Sequence, residues 1–111
     1  MNKIITLAIS TLLFAATGAF AEEHAATALE HANQAVVHGK AGHASVLVEH
    51  AEAALPHAKK GEEVAKGEAK THLSAGVKSL ESAIEHGKLG HTDMATKAAE
   101  EAVEHIKAGN K

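Results

Sequence analysis

Cysteine, tryptophan, tyrosine and arginine are absent from this 111-residue chain, proline occurs once, and both phenylalanines, Phe14 and Phe20, fall in the first 20 positions. Each absence removes a class of chemistry. Without cysteine there is no disulfide framework, thiolate metal site, iron–sulfur cluster, covalent haem attachment, thiol nucleophile or lipid anchor. Acids outnumber bases 14 to 11, and few rings exist on which bases would stack, so a nucleic-acid-binding role is excluded. Beyond the first 20 residues no run is apolar enough to cross a membrane.

The head has its own character. Lys3 precedes an apolar run over residues 4–14, and small residues follow, ending in Ala19, Phe20 and Ala21. This is the form of a secretory signal: the run is too short to span a bilayer, and the small residues suit signal peptidase. Cleavage is expected after Ala21, giving a signal over 1–21 and a mature domain over 22–111. That domain has 90 residues, enough for one domain, no Phe, and a formal charge of −4 with His neutral. Export without cysteine points to a bacterial periplasm or an equivalent space.

What the chain does have is histidine, ten in all, every one beyond the head. The pattern His38-Gly39-Lys40-Ala41-Gly42-His43 recurs 48 residues later as His86-Gly87-Lys88-Leu89-Gly90-His91. The same offset carries His24 to His72, His57 to His105, Glu52 to Glu100 and Gly61 to Gly109. The two remaining histidines, His31 and His50, land on Ser79 and Ala98. We read this as an internal duplication.

Each copy reads as a helical hairpin. Ala25, Leu29, Ala32 and Val36 step by four, three and four, so they share one helix face. Gly39 suits the left-handed position just past a helix end. A second helix, from about 43 to 60, presents Ala44, Leu47, Val48, Ala51, Leu55 and Ala58, with Gly61 as its expected stop and Pro56 expected to bend or fray its last turn. A third presents Leu73, Val77, Leu80 and Ile84 and stops at Gly87; its start is open, and the Glu- and Lys-rich stretch 60–70 reads as a solvated linker or helix end. A fourth has Thr92 as expected N-cap, Asp93 in its first turn, and Ala95, Ala99, Val103 and Ile106 on one face. The expected fold is all-α: an up-down-up-down four-helix bundle of two duplicated hairpins, about 23–60 and 63–109. Its core is thin, with 16 large apolar side chains after residue 21, so close helix approach and marginal stability without a ligand are expected.

Within a helix the histidines recur every seven residues: His24, His31 and His38, then His43, His50 and His57. Seven residues rise about 10.5 Å, too far for two such rings to share a metal ion. No two histidines are three or four apart, and neither His-Glu-x-x-His nor Glu-x-x-His occurs, which argues against a zinc protease or a di-iron carboxylate bundle. The spacing gains meaning when the hairpin folds, because residues facing each other across a turn have numbers of constant sum. In the first hairpin the sum is 81 for His38 with His43, His31 with His50 and His24 with His57; in the second it is 177 for His86 with His91 and His72 with His105. Ser79 and Ala98 also sum to 177 and mark a missing middle pair. The expectation is five two-histidine rungs, with Glu68 and Glu101 able to join the His72–His105 rung.

Neutral imidazole suits Cu²⁺, Ni²⁺ and Zn²⁺. Met94 is the sole sulfur donor after residue 21, which argues against a dedicated Cu⁺ site. A mature chain starting Glu22-Glu23-His24 offers Cu²⁺ or Ni²⁺ one further, square-planar site built from its amine, two backbone nitrogens and His24. Two other readings fit the same residues. One is a pH-responsive bundle, a stress or interaction protein whose facing imidazoles, with reference pKa about 6.5, repel in acid. The other is a structural module whose histidine stripe is a by-product of duplication. A haem between facing histidines lacks the bulky walls it needs, and the Gly-Lys-x-Gly turns lack Walker-type spacing.

The chain resembles the small metal-binding proteins, exported His-rich four-helix bundles that bind copper and other divalent metals. The resemblance covers nearly all of 24–109. It rests on His24, His31, His38, Gly39, Lys40, Gly42, His43, His50 and His57, and on His72, His86, Gly87, Gly90, His91 and His105; Ser79 and Ala98 depart from it. The expected function is buffering, storage or carriage of Cu²⁺ in the periplasm, with Ni²⁺ and Zn²⁺ as competitors. A monomer without membrane insertion is expected, and no catalytic nucleophile with an activating base is present.

Overall fold

The structure, a computed structural model, describes the backbone of residues 2–110 and the side chains of residues 20–110. Four helices follow one another: α1 Asn2–Lys40, α2 Ala44–Val64, α3 Gly67–Lys88 and α4 Thr92–Gly109. α1 packs on α2 and α3 on α4 as two antiparallel hairpins, and the hairpins close on each other through α2 with α3 and α1 with α4. This is the expected all-α bundle. The backbone of 2–21 continues into α1 as a single helix. The side chains of Lys3 and of the apolar run 4–14, read as an export signal, lie outside the described residues.

Alanine fills most of the core. Among the described residues eighteen hydrophobic side chains are buried, and twelve of them are alanines. On α1 the buried set is Ala25, Ala28, Ala32 and Ala35, while Leu29 and Val36 are only partly covered. The face is therefore turned from the one the larger residues mark towards the alanines. Small residues let two helix backbones approach, and the longer ones then fill the rim. Leu47, Leu73, Leu80 and Ile106 are the largest side chains fully enclosed.

The duplication is visible in the packing. Lys40 Nζ lies 3.8 Å from a Glu100 carboxylate oxygen, and 48 residues round, Lys88 Nζ lies 3.3 Å from Glu52. Each turn lysine thus reaches the second helix of the other hairpin. Gly39 is pressed against Thr96, and Gly87 against Val48, the residue 48 positions before Thr96. The two hairpins are related by an approximate two-fold axis.

Several glycines act differently from their sequence assignments. Gly39 and Gly87 sit inside their helices as close-contact positions, and the left-handed residues of these two turns are Gly42 (φ +84°) and Gly90 (φ +78°). Each turn has two bonds: His43 N donates to His38 O (2.9 Å) and Gly42 N to Gly39 O (3.0 Å), repeated by His91 to His86 (2.9 Å) and Gly90 to Gly87 (3.1 Å). That pairing is the Schellman helix stop, with the left-handed glycine one residue beyond the cap. Gly61 does not stop α2 either; it is buried beside the backbone of Ala21 and Ala25, and the helix runs on to Val64. Pro56 is accommodated inside α2 on its exposed side, and the helix continues past it without the bond to the Glu52 carbonyl that a proline nitrogen cannot make. Only Ala65 and Lys66 separate α2 from α3, which starts at Gly67.

Candidate metal centre

The stop motif is the first device that brings histidines together. In a Schellman turn the residue three from the helix end meets the residue two beyond its cap, usually through an apolar contact. Here those positions hold His38 with His43 and His86 with His91. Their ring centroids are 6.1 and 5.9 Å apart. His43 and His91 are also the N-caps of α2 and α4, a place where Ser, Thr, Asp or Asn normally binds a free backbone N–H. Neither makes a side-chain capping bond, and Thr92, the residue expected to cap α4, is its first helical residue instead. Neither imidazole is thus engaged in capping its helix.

Helix repeat carries the pairing away from the turns. His24 and His57 lie 5.3 Å apart by ring centroid, His31 and His50 5.8 Å, and His72 and His105 6.1 Å. All ten sequence-predicted histidines thus fall in five facing pairs. His43 and His91 are exposed, and the other eight are half-buried along the groove of their own hairpin. The rings stand on the rim of the alanine core: Ala28, Ala35, Ala54, Ala83 and Ala102, on the histidine side of each helix, are fully buried.

Two contacts go beyond the ladder of separate rungs. His38 stacks on His50 at 5.4 Å and 6°, and His31 on His57 at 6.5 Å and 14°. The six histidines of the first hairpin therefore form one zigzag row, His24–His57–His31–His50–His38–His43. The second hairpin has Ser79 and Ala98 in the middle, and its pairs stand alone. Phe20 stacks on His24 at the outer end of the row, 6.3 Å away.

At the His24–His57 pair the donor geometry suits a metal ion held by two imidazoles. Nδ1 of His24 and Nδ1 of His57 are 3.1 Å apart, one donating its N–H to the lone pair of the other. Two nitrogens on one ion, each at about 2.0–2.1 Å, stand about 2.9–3.4 Å apart for angles between a right angle and the tetrahedral one. Nδ1 of His31 and of His86 is closed off from solvent with no hydrogen-bond partner. An enclosed ring nitrogen without a partner is costly, and a cation is one way to satisfy its lone pair. Among the described residues no three His, Asp or Glu side chains converge. Glu68 and Glu101 thus do not complete the His72–His105 rung; both are exposed, and Glu101 instead lines a groove cavity of about 250 Å³ that reaches His86.

The family model described as small metal-binding protein matches residues 1–109. The chain belongs to the small metal-binding protein family. Among curated proteins, none matches it. Membership makes this bundle a small metal-binding protein, in keeping with its ten histidines. Among the described residues no helix is long and apolar enough to cross a membrane.

Proposed function

We propose that this protein, exported and cleaved after Ala21, works as a monomer in the periplasm to buffer, store or carry divalent copper, with Ni²⁺ and Zn²⁺ as competitors. The observation that carries this reading is the meeting of all ten histidines in five facing pairs. Each pair supplies half a coordination sphere, and water or a mobile carboxylate supplies the rest. Such half-open sites release their ion readily, which suits a carrier or buffer better than a fixed catalytic centre. Imidazole with oxygen donors suits Cu²⁺, Ni²⁺ and Zn²⁺, and Cu²⁺ binds most tightly of the three at a given nitrogen site. The paired imidazoles are read as binding groups, and the proposed role is to hold and release an ion rather than to transform a substrate.

The test is equilibrium metal titration followed by mass spectrometry of the exported protein, which reads the ion count and the N-terminus together. Up to one Cu²⁺ per facing pair is expected. Absence of retained copper would sink the reading and leave the pH-responsive bundle.

A further inference from the structure

The two turns have the same backbone and the same histidine pair, but one of them has a third donor. Met94 follows His91 by three residues, so the cap residue and the thioether occupy neighbouring positions on the first turn of α4. Met94 is 55% exposed and takes no part in the core. It lines the 250 Å³ groove cavity together with His86, and a second opening, beside the turn, together with His91. Met94 thus borders both the cavity that reaches His86 and the one that reaches His91. Nδ1 of His86 is the enclosed, unpartnered nitrogen of this pair. In the first hairpin the position 48 residues earlier is Val46, so the His38–His43 pair has no sulfur beside it.

A thioether adds little for a hard or borderline dication, but it is a favoured donor for Cu⁺. Two imidazoles and one thioether make a nitrogen–nitrogen–sulfur set of the kind that closed-shell monovalent ions accept with few ligands. We infer that His86, His91 and Met94 form a soft-metal site for a monovalent cation of the copper group, unlike the four all-imidazole pairs. This rests on the reading of the histidine pairs as metal donors and adds a preference for oxidation state at one of them. A single sulfur argues against such a site when sequence alone is considered. The fold supplies what the sequence does not show, two facing imidazoles whose cavities Met94 borders. The gap at Ser79 and Ala98 separates this pair from His72–His105, so an ion held here has no adjoining rung to move along.

Ag⁺ is a redox-inert probe of the same class. The full chain, labelled with ¹³C at its methionine methyls, gives two signals, Met1 and Met94. One equivalent of Ag⁺ is expected to shift the Met94 signal. Met94→Val, which copies the first turn, is expected to weaken retention of that ion by about tenfold or more, since even outer-shell changes cost ten- to hundredfold. Cu²⁺ capacity should stay unchanged in that variant, and Val46→Met should add a second Ag⁺. An unmoved Met94 signal, or equal Ag⁺ retention by wild type and Met94→Val, overturns the site while leaving the divalent reading intact. Loss of Cu²⁺ binding at the other eight histidines, with Met94 still answering Ag⁺, would overturn the proposed function and leave the soft site standing.

Discussion

The ring of His38 lies parallel to that of His50, 5.4 Å away and within 6°, although the two belong to different rungs. With the His31–His57 stack it joins the first hairpin's six histidines into one row. A change at an inner member therefore touches two pairs. His50 contacts both His31 and His38, whereas the ring contact of His105 is with His72. His50→Ala is expected to lower Cu²⁺ affinity at two sites, and His105→Ala at one. Titration of both variants, followed by the visible absorption of bound copper, separates the cases. Equal effects would show that the rungs act independently.

The second hairpin carries its own negative control. Ser79 and Ala98 occupy the place of the inner pair, and Ala98 borders the 250 Å³ cavity, so the groove has space there. Ser79→His with Ala98→His is expected to add one bound ion, counted by native mass spectrometry. Ala98 is only 7% exposed, so the added imidazole is expected to cost the metal-free protein about 1–3 kcal/mol through overpacking. An unchanged ion count would refute pairing as the basis of binding.

Acid sets protons against metal for the same lone pairs. Ligation needs neutral imidazole, so the bound ions should leave as pH falls below about 6. Because the ion binds the folded chain, saturation to a hundredfold above Kd at one site stabilises it by about 2.7 kcal/mol, a rise in Tm on the order of 10 °C for a domain this small. The rise should be present at pH 7.5, vanish at pH 5 and be abolished at any pH by a chelator. Melting curves that track pH identically with and without Cu²⁺ would favour the pH-responsive reading.

Packing, more than propensity, decides the glycines. In an exposed helix Gly→Ala stabilises by about 1 kcal/mol. At Gly39 the added methyl would meet Thr96 and Leu47, and at Gly87 Val48, so Gly39→Ala and Gly87→Ala are each expected to destabilise by about 1–3 kcal/mol. Gly42→Ala meets no neighbour, but it forces a β-carbon into left-handed backbone, costing about 1–2 kcal/mol. Urea melts of the three variants check these values. Stabilisation by Gly39→Ala would show that the hairpins sit farther apart than described.

The bundle and every histidine pair were legible in the sequence for one physical reason. Helical rise is fixed, so once a turn sets the register, residue numbers alone say who faces whom. Where tertiary contact chooses between local options, that legibility ends. Gly39 and Gly42 are equally plausible stops by composition, and the close approach of Thr96 assigns one to packing and the other to the left-handed turn. Gly61 reads as a stop, yet burial against α1 keeps it helical. Leu29 and Val36 mark the α1 core by size, while Ala28 and Ala35 are the residues that α1 buries beside Ala25 and Ala32. The cross-rung stacks depend on how the two helices interlock, which spacing along either one does not encode.

His43 and His91 stand at helix N-caps without capping them, where Ser or Asp would satisfy a free backbone N–H at the helix start. His43→Ser is therefore expected to stabilise the metal-free protein by about 0.5–1 kcal/mol, within the usual range for a restored cap. The same change removes one imidazole from the His38–His43 pair, so Cu²⁺ should bind more weakly there and add less to Tm. Wild type and variant should thus exchange rank: the variant melts higher without metal, and the wild type gains more when copper is added. A variant that is less stable in both states would mean that the His43 ring supports the turn itself. Paired thermal melts of the chelated and copper-loaded proteins decide between the two.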